Sequence, residues 1–313
     1  MRVLLAGASG ALGHRLTPAL VSAGHQVFGT TRSGNAASIA AAGATPLRMD
    51  GLDRDSVQGA VEEAKPDVII HELTALSGGI NPKHFDRDFA VTNRLRTEAT
   101  RHLLEAARTN GVTRFIAQSY TGWTNERSGT GLADESTALD PHVGREERES
   151  LDAMRFIEET VPAQTHLEGL VLRYGGFYGP GTGMARGEKS AMVDLILKRR
   201  LPVVGSGAGL WSFAHIEDAA AATVAAVERG NPGLYNICDD EPVAVADWLP
   251  ALARRLDAPP PRHVPTWLAR LLIGEHGVNM MTNARGSSNA KAKRELGWTL
   301  QYPTWRIGFA EGL

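Results

Sequence analysis

Seven residues near the amino terminus, Gly7-Ala8-Ser9-Gly10-Ala11-Leu12-Gly13, follow the aliphatic run Val3–Ala6 and open a helix-length segment. Small side chains there let the backbone approach a pyrophosphate, while the free N–H groups and dipole of a helix start favour its negative charge. The spacing is GxxGxxG rather than GxGxxG, and a glycine trio alone says little; its place between strand and helix is what points to a dinucleotide. A bare strand-to-helix turn is the plain alternative. Where the second strand ends, at Thr30-Thr31-Arg32-Ser33, an acid would accept from an NAD ribose. Arg32 stands there instead. A guanidinium pairs with a 2′-phosphate and lies against adenine, which favours NADP; a solvated surface arginine is the competing reading. Asp50, ending the third strand, fits either an acceptor for the adenine amino group or an N-cap of the next helix. Gly51, Leu52, Leu73, Thr74, Ala75, Tyr174 and Gly176 complete the candidate cofactor contacts.

The elements that must hold these residues are legible as alternation. The runs Val3–Ala6, Val27–Thr31, Thr45–Met49, Val68–His71, Arg114–Gln118 and Gly169–Arg173 are separated by Ala-rich, helix-length segments. Strands without polar alternation, spaced by helices, predict a parallel sheet buried on both faces, the doubly wound α/β class. Leu12, Leu16 and Leu20 form one apolar stripe on the first helix, with Pro18 expected as a kink. A long helix is expected from Phe85 to Thr109, ended by Asn110-Gly111. After Gln118 regularity stops: Ser119 to Ser150 is rich in Gly, Thr and charged residues, which predicts a lid, with a disordered insert as the alternative. A helix at Ile216–Glu228, a strand at Leu234–Cys238 and a stiff Pro259-Pro260-Pro261 spacer follow.

Composition narrows the function classes. With 313 residues the chain can build one large or two closely joined domains. Its 33 Lys+Arg against 35 Asp+Glu leave a net charge of -2, so no basic field exists to hold nucleic acid or an anionic membrane. The single cysteine, Cys238, has no partner for a disulfide, and a reducing cytoplasm is the expected location. The run Val3–Ala6 stops at Gly7 and the run 219–227 is bracketed by Asp218 and Glu228, so neither an export signal nor a membrane span is expected. Ten histidines form no HExxH and no close pair with carboxylates, which gives a metal site no support.

The glycine loop, Asp50, Asn93, Ser119 and Leu172-Arg173 occur in order with Asn93–Thr97, Leu103–Ala107, Tyr178-Gly179-Pro180-Gly181, Phe213–Asp218 and Tyr235–Asp239. In this the chain resembles the extended short-chain dehydrogenase/reductase superfamily, and within it the NAD(P)-dependent epimerase/dehydratase group, over about residues 1–300. The resemblance implies a Rossmann-type sheet with a smaller C-terminal substrate-binding cap: residues 1–173 and 206–238 for NADP, 174–205 and 239–313 for the cap. It also implies a homodimer built on the helices near 85–109 and 149–160.

The family works through a serine, a tyrosine and a lysine four residues after the tyrosine. Ser119 fits the serine and Asn93 the asparagine of a proton relay, but none of the five tyrosines begins a YxxxK. Tyr120 beside Ser119, or His142 or Glu146 from the lid, are the candidate acids, with no proton transfer at all as the third alternative; if the strand runs on past Ser119, Tyr120 points the opposite way from it. Arg148 is a candidate for the lysine's charge, or simply part of a solvated charge run. Where sugar-nucleotide members carry a phosphate-binding arginine, Trp211 stands, and with Trp123, Phe177 and Tyr178 it predicts an aromatic substrate pocket. His215 and Asp218 read as structural, at a helix start. The expected activity is an NADP-dependent oxidoreductase acting on a small carbonyl or hydroxyl compound that is not a nucleotide sugar. The alternatives are a non-redox isomerase, cyclase or epimerase with NADP as scaffold, and an NADP(H)-sensing regulator.

Overall fold

The computed structural model describes residues 1–32, 34–76, 81–187 and 190–313; Ser33 lies outside them. Seven parallel strands, β1 (Arg2–Ala6), β2 (Gln26–Thr31), β3 (Thr45–Arg48), β4 (Val68–His71), β5 (Arg114–Tyr120), β6 (Glu168–Tyr174) and β7 (Gly233–Ile237), form one sheet in the order β7-β6-β5-β4-β1-β2-β3. The order reverses at β1, which creates a crevice beyond the carboxyl ends of β1 and β4. Val3, Leu5, Ile70, Ile116 and Leu172 face one apolar layer, and Leu4, Ile69, Phe115 and Val171 the other. Strands buried on both faces have no polar side to show, hence their unbroken aliphatic runs.

Leu12, Leu16 and Leu20 dock the helix Ala11–Ser22 on the sheet, and that helix runs on through Pro18. The predicted helix over 85–109 is interrupted: Phe85–Arg94 and Thr100–Thr109 are joined by a π-turn at Leu95–Ala99. Nδ1 of His71 accepts from Leu73 N–H (3.3 Å), leaving Nε2 to donate to the Leu95 carbonyl (3.2 Å) at the start of that turn. Burial pushes this imidazole down to about 4, so it stays neutral in that tautomer.

A second core lies in the C-terminal part, where Tyr178, Phe213, Trp248, Trp305 and Phe309 pack together. The long loop after β5 is fastened to it. Asn125 bridges Leu139, Ala133 bridges Ser287, and the Arg285 guanidinium donates to the carbonyls of Ser128 (2.8 Å), Gly131 (3.0 Å) and Thr130 (3.2 Å). Among the described residues no helix is long and apolar enough to cross a membrane.

Candidate active site and cofactor crevice

The glycine loop turns at Gly7 with φ of 105°, a value only glycine holds without strain. An added Cβ there would sit 2.8 Å from the Glu72 carbonyl, and one at Gly13 would run into the Gly7 carbonyl. The loop is therefore pressed against the end of β4, and Gly10 enters the helix with its N–H on the Gly7 oxygen (3.0 Å). Beside it lies a cavity of about 180 Å³ lined by Gly7, Ser9, Gly10, Arg32, Asp50, Gly51, Leu52, Leu73 and Thr74 of the expected set, joined by Thr30, Thr31, Met49, Glu72, Val91 and Leu95. Its shape and its helix start suit a dinucleotide, and the exposed Arg32, without a hydrogen bond or ion pair among the described residues, stands at the end where a ribose phosphate would lie.

Other expected cofactor contacts sit differently. Ala8 and Leu12 turn into the core, Ala75 N–H donates to Thr92 Oγ1 (3.0 Å), and Gly176 N–H donates to the Ser212 carbonyl (2.8 Å). Tyr174 is buried behind the cavity, donating to Glu72 Oε1 (2.9 Å) and touching Thr223 Oγ1 (2.7 Å). Asp50 is not the N-cap of the following helix. Asp53 is, accepting from Asp55 and Ser56 N–H, while the Asp50 carboxylate accepts from Leu52 N–H (3.0 Å) and remains exposed beside the cavity.

Glu72 was not among the expected residues. Its carboxyl lines the crevice under the loop, where burial pushes its pKa up to about 8 against the opposing hydrogen bond from Tyr174. A protonated carboxyl is the form compatible with a neighbouring pyrophosphate. Nothing local in the sequence signals this, since the effect arises from β4 lying against the loop.

Strand β5 does continue past Ser119, pairing Ser119 with Arg173 and Tyr120 with Tyr174. The two side chains therefore face opposite ways, and Ser119 is the one turned inward. Its hydroxyl, 1% exposed, donates to Glu158 Oε1 (2.7 Å), and Arg173 Nε holds the same oxygen (2.9 Å). The Ser119 hydroxyl thus faces the buried Glu158–Arg173 pair, on the opposite side of β5 from Tyr120. Asn93 likewise donates to Ser150 Oγ (3.0 Å) and ties two helices together.

Tyr120 faces a cleft with Gly122, Trp123, Leu210, Trp211, Met280 and Ala284. Its hydroxyl has no partner among the described residues, and burial pushes it up to about 12, so it stays a phenol. Gln118, on the same face of β5, lies 3.5 Å from the carbonyl of Leu73, a residue of the cofactor crevice. Trp123 and Trp211 both line the cleft, with Trp211 Nε1 fixed on the Met280 carbonyl (2.8 Å). Tyr178 does not join them: it is fully buried in the C-terminal core, edge-on to Phe213, His215 and Phe309. Phe177 packs on Tyr174 (5.2 Å) instead. His142 is exposed on the rim of an open groove of about 760 Å³ that also includes Arg127, Leu210, Ala284 and Arg285, and it does not reach Tyr120's cleft. Glu146 and Arg148 are exposed too. His215 accepts from Glu217 N–H and Asp218 from Gln301 and Tyr302 N–H, which makes both structural.

The family model for the NAD-dependent epimerase/dehydratase family matches residues 3–238. The chain belongs to that family. A 3-diazoavenalumate denitrifying reductase from Streptomyces sp is 42% identical over 313 residues, covering 98% of this chain and 99% of that protein. A farnesyl-dihydroquinoline-oxide ketoreductase from Stigmatella aurantiaca is 27% identical over 80% of this chain and 72% of its own. Among solved structures, a UDP-glucose 4-epimerase from Thermotoga maritima superposes with a TM-score of 0.77 at 19% identity, over 99% of this chain and 96% of that one. The UDP-glucose 4-epimerase of Thermus thermophilus, solved with NAD, gives 0.74 at 21%, over 99% and 97%. This epimerase/dehydratase-family protein is an NAD(P)-dependent enzyme of the oxidoreductase or epimerase type, with the Rossmann-type sheet of its extended superfamily.

Proposed function

We propose that the protein is an NADPH-dependent reductase of a small aromatic electrophile that carries no nucleotide. The observation that carries this reading is that Tyr120, Trp123 and Trp211 meet at one cleft, about 10 Å³ as it stands and so needing to widen around a ring, with no cation among its lining residues for a diphosphate. Arg32 at the end of β2 supports NADP over NAD. Within this reading residues 1–173 and 206–238 bind the cofactor, 174–205 and 239–313 form the cap, and the enzyme is a cytoplasmic homodimer.

A carbonyl carbon is one acceptor that suits the cleft, with Tyr120 donating a hydrogen bond to the oxygen. A second acceptor is favoured by the missing YxxxK together with the 42% identical relative named for a diazo compound. Bound NADPH would supply a hydride; at a diazo carbon that hydride would form the new C–H bond while the C–N bond breaks and N₂ leaves with its electron pair. No alkoxide forms at the reacting carbon, so that site needs no tyrosine–lysine acid. Tyr120 and the two indoles would then serve to hold the ring and exclude water.

The test is anaerobic NADPH consumption at 340 nm with an ortho-quinone diazide, an aryl ketone and UDP-glucose, with N₂ measured by mass spectrometry. Oxidation of NADPH with either aromatic acceptor is expected. Turnover of UDP-glucose without net nicotinamide change would replace the reading with epimerase chemistry.

A further inference from the structure

A carboxylate and a histidine from opposite parts of the chain meet behind Trp123. Glu147, at the start of the helix Arg148–Thr160, places Oε2 2.9 Å from Nδ1 of His276, and the two side chains are 3% and 2% exposed. Glu147 Oε1 accepts from Gly144 N–H (2.9 Å). Burial alone would raise this carboxyl, but His276, the Gly144 N–H and Arg127 outweigh it and hold Glu147 below its ordinary range, as a carboxylate. The imidazole lies between Phe85 (4.3 Å) and the edge of Trp123 (5.0 Å). His276 Nε2 and Glu147 Oε2 are both buried without an aligned hydrogen bond among the described residues, so the 2.9 Å contact between the two side chains is one of ion-pair distance only.

An orphaned ring nitrogen in the interior is costly and calls for a partner. The space beside it is a cavity of about 10 Å³ bordered by Trp123, Arg127, Asn279, Met280 and Ala284. That is near the smallest volume that holds one water, with Asn279 and Arg127 as further polar neighbours. Ala284 and Arg127 also line the open groove, and Trp123, Met280 and Ala284 also line the cleft of Tyr120. The cavity beside the pair therefore shares walls with both.

We propose that Glu147 and His276 form a buried proton relay that serves the substrate through that water. Glu147 Oε2 lies against Nδ1; Nε2 passes a proton to the water, and the water passes one to an oxygen of the substrate. This balances the hydride that makes the new C–H bond, and His276 regains its proton from solvent by way of the groove. The inference rests on the reductase reading for its substrate, and on geometry alone for the relay. Arg127, which lines the same cavity, is paired with Asp140.

Two measurements decide it. In the full chain, with and without NADP⁺, nitrogen NMR of the His276 ring should show Nε2 hydrogen-bonded to water; an Nε2 without a hydrogen-bond partner in solution overturns the relay. In turnover, His276→Ala should lose about 10²-fold, and free imidazole should restore about tenfold with a pH dependence that follows the added base. Near-normal turnover with an unchanged pH profile overturns it. So does a His276→Gln variant as active as the native enzyme, which would make the ring a packing element only. If no acceptor consumes NADPH, the reductase reading falls, and the ring NMR still decides the relay.

Discussion

The Ser119 hydroxyl donates to Glu158 Oε1 at 2.7 Å, inside the layer between β5, β6 and the helix Arg148–Thr160. Because Arg173 clamps the same carboxylate, Ser119 belongs to a buried ion-pair network. Ser119→Ala should cost about 1–3 kcal/mol of stability by removing a donor to a charged acceptor. Denaturant midpoints should show it while turnover of the folded enzyme stays within about twofold.

Tyr120→Phe should behave in the opposite way. Its hydroxyl has no partner to lose among the described residues, so stability should hold, while turnover should drop by about tenfold to 10²-fold if the phenol orients the substrate. His142→Ala, on the exposed rim, is expected to leave steady-state kinetics unchanged. Equal turnover of native and Tyr120→Phe enzymes would remove the phenol from the site.

Arg32→Asp should narrow or reverse a preference for NADP(H) over NAD(H). Calorimetric titration of both cofactors checks this, and tighter binding of NAD by the native protein would refute the NADP assignment.

Glu72 predicts a pH dependence. Its folded pKa, raised to about 8, lies above the ordinary 4.5. The stability it contributes as a neutral acid is complete below about pH 4.5 and is lost as pH rises through about 8. Glu72→Gln, which can still accept from Tyr174, should flatten this decline in urea midpoints taken at intervals across that range. An unaltered slope would mean that the carboxyl is already ionised at neutral pH.

Light scattering at micromolar concentration should report a dimer, paired through the helices 85–109 and 149–160. A monomer would count against that assembly.

Local sequence decided the sheet and the crevice. Apolar runs such as Val68–His71 have few ways to bury both faces, and Gly7 and Gly13 stand where any side chain would strike backbone, so chain order alone located the cofactor loop. Which of Ser119 and Tyr120 faces the cleft turned on two more residues of strand, and those were fixed by pairing with Arg173 and Tyr174 across β6. Tyr178 reads as a pocket residue in the linear chain, and only the second core encloses it. Glu72 acquires its raised pKa only through burial in the folded crevice, against the hydrogen bond from Tyr174. Glu147 and His276 meet only when the loop after β5 and the helix Thr266–Thr282 pack against Phe85 and Trp123. Strand and helix patterns are short-range and survive in a linear reading, whereas the burial that shifts a pKa or leaves a nitrogen without a partner is a property of distant segments brought together.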